Sequence, residues 1–167
     1  TAFHSRWLDP MVADFERELS SITFGRPRID IISTVTGRRL LAEQACSVAY
    51  WSQGLRQPVM FQAAISRLAE EGANVFLEVG PHPVLCALGQ GCLEGSPSAW
   101  VASLRRGQPE RRQMLEGLGH LYKAGIDPDW LGVYATCPYR RVALPTYPFQ
   151  VSGQPGQPAA DAPAGKP

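Results

Sequence analysis

The feature that most restricts what this chain can fold into is a strand–turn–helix–strand succession in its middle. Val75-Phe76-Leu77-Glu78-Val79 is a short apolar run of strand character, and Gly80-Pro81-His82-Pro83 breaks it. Val84 to Cys92 then reads as a short helix, and Trp100-Val101-Ala102-Ser103-Leu104 as a further strand. A helix precedes the first strand, from about Pro58 to Glu71. Phe61, Ala64, Ile65, Leu68 and Ala69 recur there at helical spacing, and Gly72 stands where a helix commonly ends. Strands alternating with helices predict part of an α/β layered domain.

The flanks extend the same alternation. Leu8, Met11, Val12, Phe15 and Leu19 mark an amphipathic helix over 8–20, with Pro10 suited to its first turn. Gly25-Arg26-Pro27 ends that region. The β-branched run Ile29 to Thr34 predicts a buried strand closed by the Thr36-Gly37 turn. A helix over 109–124 is expected to turn Met114, Leu115, Leu118, Leu121 and Tyr122 inward and to end at Gly125. From Asp127 onward, short pieces around Trp130, Tyr134, Tyr139 and the run Leu144 to Gln150 predict an extended segment draped over a surface. Residues 151–167 are rich in Pro, Gly and Ala and hold no aromatic residue, so they are expected to form a flexible linker.

Lys plus Arg number 16 against 15 Asp plus Glu, a balance that gives no footing for a nucleic-acid or membrane-surface partner. Cys46, Cys86, Cys92 and Cys137 show no CxxC spacing, so neither a metal site nor a disulfide framework is expected and a reducing, cytoplasmic setting is. The sequence opens on Thr1 without an initiator Met or leader, as expected for a piece of a longer protein.

Three histidines are candidates for chemistry. His120 sits among apolar helix residues and His82 between two prolines; both read as structural. His4 lies beside Phe3 just before a helix start, which suits a general base in a semi-apolar cleft. Its neighbour Ser5 does not read as a nucleophile, because adjacent side chains rarely face each other and no GxSxG elbow occurs. Gly80-Pro81-His82 lacks the further glycines of a dinucleotide loop, which sets aside an unrelated Rossmann-type binding protein. Arg105, Arg106, Arg111 and Arg112 cluster near one turn, either as a solvated surface or as a contact for an acidic partner.

Six segments, in order, resemble the acyltransferase domains of modular polyketide synthases. They are Ala2-Phe3-His4-Ser5 with Leu8-Asp9-Pro10-Met11; Ser33-Thr34-Val35-Thr36-Gly37; Tyr50-Trp51 with Leu55-Arg56-Gln57-Pro58-Val59 and Phe61; Phe76-Leu77-Glu78-Val79-Gly80-Pro81; Ala102 to Gly107; and Leu144 to Gln150. The resemblance covers about 1–150. It implies the C-terminal part of the α/β-hydrolase-like large subdomain, followed by an extended linker. Residues 1–107 would be the end of the acyltransferase domain, 108–150 its final helix and post-acyltransferase linker, and 151–167 an interdomain tether.

The resemblance also implies a chemistry. A serine in an upstream GHSxG elbow attacks an acyl-coenzyme A thioester. A histidine, matched by His4, takes the serine proton, and the acyl group passes to the phosphopantetheine thiol of an acyl carrier protein. No bound cofactor or metal is implied. The serine, the oxyanion hole and the carboxylate-gripping arginine belong to the N-terminal part of the same domain. A backbone carbonyl in the Tyr50–Val59 segment orients the histidine, and the family position matches Gly54, where Asn or Gln is usual. Thr1, Ala2 and Phe3 occupy the places that track substrate choice. Phe3 matches the malonyl-selecting form, whereas Thr1 departs from the usual His. Implied partners are acyl-coenzyme A, with malonyl favoured, the carrier protein and a neighbouring ketosynthase. A docking or scaffold segment, and a discrete malonyl transferase of fatty-acid synthesis, are the rival readings.

Overall fold

The computed structural model describes residues 3–136, 138, 140 and 142–147, which leaves Thr1, Ala2, Phe149 and the expected 151–167 linker outside the described residues. Two compact units are present, the first running to Pro128 and the second beginning at Asp129.

In the first unit a 3-10 turn (Arg6–Leu8) runs directly into α1 (Asp9–Ser20). Pro10 sits in the first turn of α1, where a missing N–H removes no helix bond. Leu8 and Leu19 are buried, as their spacing predicts, whereas Met11 at the edge of the same stripe is exposed.

The β-branched run at 29–34 forms less strand than its composition predicts. Only β1 (Ile32–Ser33) pairs, antiparallel with β2 (Arg38–Arg39), and Ile29 stays exposed. Ser33 explains why the strand stops. Its buried Oγ accepts from the N–H of Val35 at 3.1 Å and of Thr36 at 3.4 Å, folding the chain over at once. Gly37 completes the turn at φ +68°, and a Cβ there would meet Ala63 Cβ at 2.7 Å.

Two helices follow, α2 (Ala42–Ala45) and α3 (Val48–Arg56). The Tyr50 hydroxyl donates to Ser33 Oγ at 2.7 Å, which ties α3 to the β1–β2 turn. The Ser52 hydroxyl donates to Glu16 Oε1 at 2.7 Å, which ties α3 to α1. Trp51 stacks on Phe24 with centroids 5.9 Å apart, and its indole N–H donates to Ala45 O at 2.9 Å. In α4 (Phe61–Glu70), Ala64 and Ile65 are buried on the face the periodicity marks.

β3 (Val75–Glu78) and β4 (Ala99–Ala102) pair in parallel, with Phe76 opposite Trp100. Parallel neighbours need a crossover, and α5 (Val84–Cys92) supplies it. The Phe76 and Trp100 rings stack at 4.2 Å, and α5 crosses the indole at Gly89, where any side chain would collide with Trp100. Packed on β4, α6 (Glu110–Lys123) turns Gly117 inward, with Leu118 and Leu121 half-buried beside it. Met114, Leu115 and Tyr122, expected inward, are exposed.

In the second unit α7 (Trp130–Tyr134) forms where extended chain was expected. Asp129 nucleates it, its Oδ1 accepting from the Gly132 N–H at 2.9 Å. Leu144 and Tyr147 are exposed.

Candidate active site

His4 is the one non-glycine residue with positive φ among the described residues, at +62°. A left-handed backbone costs an L-residue about 1–2 kcal/mol. Such a conformation persists only where its surroundings over-determine it. Here they do. The His4 N–H donates to Leu55 O at 3.1 Å, and His4 Nδ1 lies 2.8 Å from Gln57 O. Leu55 is in the last turn of α3, so its carbonyl lacks a helical donor and is free to take one from His4.

A carbonyl can only accept. Nδ1 therefore carries a proton in this contact, and in the neutral ring Nε2 is left with its lone pair as a proton acceptor. This is the arrangement a general base needs, with one nitrogen oriented by the protein and the other open to substrate chemistry.

The orienting carbonyl is that of Gln57, which corrects the expectation placed on Gly54. Gly54 lies within α3, where carbonyls run along the helix axis. Its Cα faces Val35, whose Cγ2 would be 3.5 Å from an added Cβ. Gln57 precedes Pro58, and the proline ring disfavours helical geometry at the residue before it. Gln57 is accordingly extended, at φ −78° and ψ 155°, and its carbonyl is released from the helix to meet His4.

Phe3 stands beside His4, with ring centroids 6.5 Å apart and 61 % of its surface exposed. Thr1 and Ala2, the other expected substrate-selecting residues, lie outside the described residues. His4 is itself exposed, so the semi-apolar cleft expected around it is not built from the described residues. Ser5 Oγ accepts from the Trp7 N–H at 3.4 Å, a local cap for the 3-10 turn. The exposed His82 and His120 have no contact with this group among those described. Arg112 pairs with Glu116 one turn on in α6, at 2.8 Å, as a solvated helix surface does.

A groove of about 1150 Å³ lies elsewhere. Thr36, Arg38, Arg39 and Arg67 line it, and Arg39 and Arg67 are already paired with Asp30, Glu70 and Glu71. None of the residues that hold His4 borders it. Geometry outranks size here, which makes His4 the candidate site.

Glu78 ends β3 and reaches across the Gly80–Pro83 turn. Its carboxylate accepts from the N–H of Val84 at 3.2 Å, Leu85 at 3.1 Å and Cys86 at 2.7 Å. Burial, the largest single influence, pushes this carboxyl up, but the N–H donors of Cys86 and Leu85, the Cys86 thiol and the Val84 N–H together outweigh it and hold it below the usual range. Glu78 is thus an ionised cap on α5. Burial first, and then Glu78, push the Cys86 thiol up, which leaves it a poor nucleophile. Among the described residues no group of His, Cys, Asp and Glu is arranged to hold a metal ion.

Comparison with known proteins shows the family. The sequence pattern of the acyl transferase domain matches residues 1–128. The chain belongs to the acyl transferase domain family. Polyketide synthase GfsA of Streptomyces halstedii is 40 % identical over 152 residues, 90 % of this chain and 2 % of GfsA. Mycoketide-CoA synthase of Mycobacterium tuberculosis is 36 % identical over 149 residues, 89 % of this chain and 4 % of that synthase. The acyltransferase domain from the second module of the salinomycin polyketide synthase superposes with a TM-score of 0.79 at 34 % identity, over 89 % of this chain and 34 % of that one. The malonyl CoA-acyl carrier protein transacylase of Clostridium perfringens shares the fold, with a TM-score of 0.61 at 21 % identity, over 74 % of this chain and 37 % of that one. This acyl transferase chain therefore spans about a third of the solved domains it matches and a few per cent of the synthases. The α/β architecture expected from the sequence is the architecture of these domains.

Proposed function

We propose that this chain carries the histidine half of a serine–histidine acyl transfer in polyketide assembly. The observation that supports it best is the His4 geometry, a strained backbone held twice by α3 and Nδ1 placed on the Gln57 carbonyl. In this reading a serine from the N-terminal part of the same domain attacks an acyl-coenzyme A thioester. His4 Nε2 takes the serine proton and returns it to the departing coenzyme A thiol. The phosphopantetheine thiol of an acyl carrier protein then attacks the acyl-serine and gives its proton to Nε2. The serine oxygen leaves and regains a proton from the imidazolium. Coenzyme A and phosphopantetheine are carriers of the acyl group, and no resident cofactor or metal enters the reaction.

Phe3 favours malonyl over branched acyl groups, because a benzyl side chain beside the base occupies the volume an α-methyl would need. Thr1 and Ala2 complete the selecting stretch. Residues 108–150 serve as final helix and post-acyltransferase linker toward a neighbouring ketosynthase, and 151–167 as a tether. The greater likeness to synthases than to the separate transacylase supports this setting. Among the described residues no helix is long and apolar enough to cross a membrane. The free thiols of Cys46, Cys86 and Cys92 fit a reducing cytoplasm.

The test uses the complete protein that contains these residues, with labelled malonyl-coenzyme A. A stoichiometric covalent adduct that chases onto a carrier protein is expected, with none on the isolated 167-residue chain. No adduct on the complete protein, or a stable adduct on the isolated chain, overturns the reading.

A further inference from the structure

Three consecutive residues at the end of α3 reach back to the segment that bears His4. The Leu55 carbonyl accepts from the His4 N–H at 3.1 Å, and the Gln57 carbonyl lies 2.8 Å from His4 Nδ1. Between them, Arg56 Nε donates to Asp9 Oδ1 at 2.6 Å. The outer two contacts are made by backbone; the middle one is made by side chains. Asp9 opens α1, and only the Arg6–Leu8 turn and Ser5 separate it from His4. The ion pair therefore fixes the far end of the short loop whose near end is His4.

This matters because His4 sits in a conformation that its own backbone disfavours. Two hydrogen bonds to a helix terminus hold it, and helix termini fray. A charged strut from the same terminus to the base of α1 keeps the distance between Gln57 O and the loop constant. The strut spans an open groove of about 340 Å³, lined by Asp9, Val12, Ser52, Gln53, Arg56 and Gln57. Truncating Arg56 leaves no buried void there. Side-chain exposures of 38 % for Arg56 and 58 % for Asp9 put the pair among surface ion pairs, which contribute little to folding.

We propose that Asp9 and Arg56 are a positioning pair for His4, acting on the rate of acyl transfer and not on the stability of the fold. The proposal rests on the reading of His4 as the general base. Neither residue touches substrate; each acts through the loop.

The experiment measures single-turnover acylation of the complete protein by malonyl-coenzyme A, read by intact mass, for wild type, His4→Ala, Arg56→Ala, Asp9→Asn, the double variant and Arg56→Lys. A full misplacement of about 1 Å costs on the order of 100-fold in rate. Loosening the strut is expected to cost part of that, about tenfold in Arg56→Ala at saturating thioester, with the half-saturating concentration unchanged. The thermal midpoint should stay within about 4 °C. The double variant should be no slower than either single variant, as for one shared interaction. Arg56→Lys should recover part of the rate, since it keeps the charge and loses the Nε geometry. An unchanged rate in Arg56→Ala, beside a fast wild type and a slow His4→Ala, overturns the pair alone. So does a rate loss matched by an equal loss of folded protein. Equal rates for wild type and His4→Ala overturn the reading of His4 itself.

Discussion

In the β3–α5–β4 unit, Phe76 stacks on Trp100 at 4.2 Å, α5 closes over the indole at Gly89, Val101 is buried, and Glu78 caps the crossover helix with three hydrogen bonds. The segment from Phe3 to Asp9 is built the other way. Phe3 and His4 are exposed, the His4 backbone is left-handed, and two carbonyls and one surface ion pair hold it. Burial holds the first region, so it tolerates little change in volume. Directed polar contacts hold the second, which gives up stability to fix one imidazole. The two should therefore respond in opposite ways to substitution, one in folding and the other in rate.

The largest effect on folding is expected at Gly89. A methyl there must displace Trp100 or the helix, and overpacking of this kind costs about 1–3 kcal/mol. Chemical denaturation of Gly89→Ala in the complete protein should show that loss, while acylation per folded molecule stays at the wild-type value. A slower reaction at full folding would erase the distinction between the two regions.

Next in size is substrate choice at Phe3. Pocket discrimination of one methyl group spans roughly 10–200-fold, and other walls contribute, so Phe3→Ser should raise relative methylmalonyl use by about tenfold. A competition assay with both thioesters at equal concentration reads the ratio on the carrier protein. Since Phe3 is exposed in this chain, its thermal midpoint should not move. A wild type that loads methylmalonyl first would shift attention from Phe3 to Thr1.

Smallest is the cap. Loss of capping bonds typically costs about 1 kcal/mol, and Glu78→Ala should lower stability by that order at neutral pH. The folded carboxyl titrates below its ordinary value of 4.5, so its contribution is complete above that pH. It then drains away as the pH falls from there through the lower folded value. Unfolding curves of wild type and Glu78→Ala should accordingly converge in acid. A gap that widens on acidification would mean that Glu78 is not held as the anion.

The same contrast explains what could be read from sequence. Ala64 and Ile65 in α4, and the order of β3, α5 and β4, follow from apolar spacing and the Gly80–Pro83 breaker, because burial writes itself into composition. Where a polar contact decides, composition misleads. The run at 29–34 looks like a long strand until Ser33 turns it over. β2 consists of two arginines and carries no apolar signal at all. His4 drew attention through its neighbours, but the group that meets its Nδ1 is a carbonyl, and a carbonyl has no side-chain signature. Its one trace is Pro58, which releases Gln57 from the helix; reading that proline as a backbone instruction would have pointed three residues past Gly54.

The most direct test of His4 as the base is a pre-steady-state acylation of the complete protein by malonyl-coenzyme A, comparing wild type with His4→Ala. Loss of a positioned general base is expected to slow formation of the acyl-serine by about 100-fold or more, with the unfolding transition retained. An acylation rate unchanged in a folded His4→Ala protein would contradict the assignment, and with it the role given to the Gln57 carbonyl.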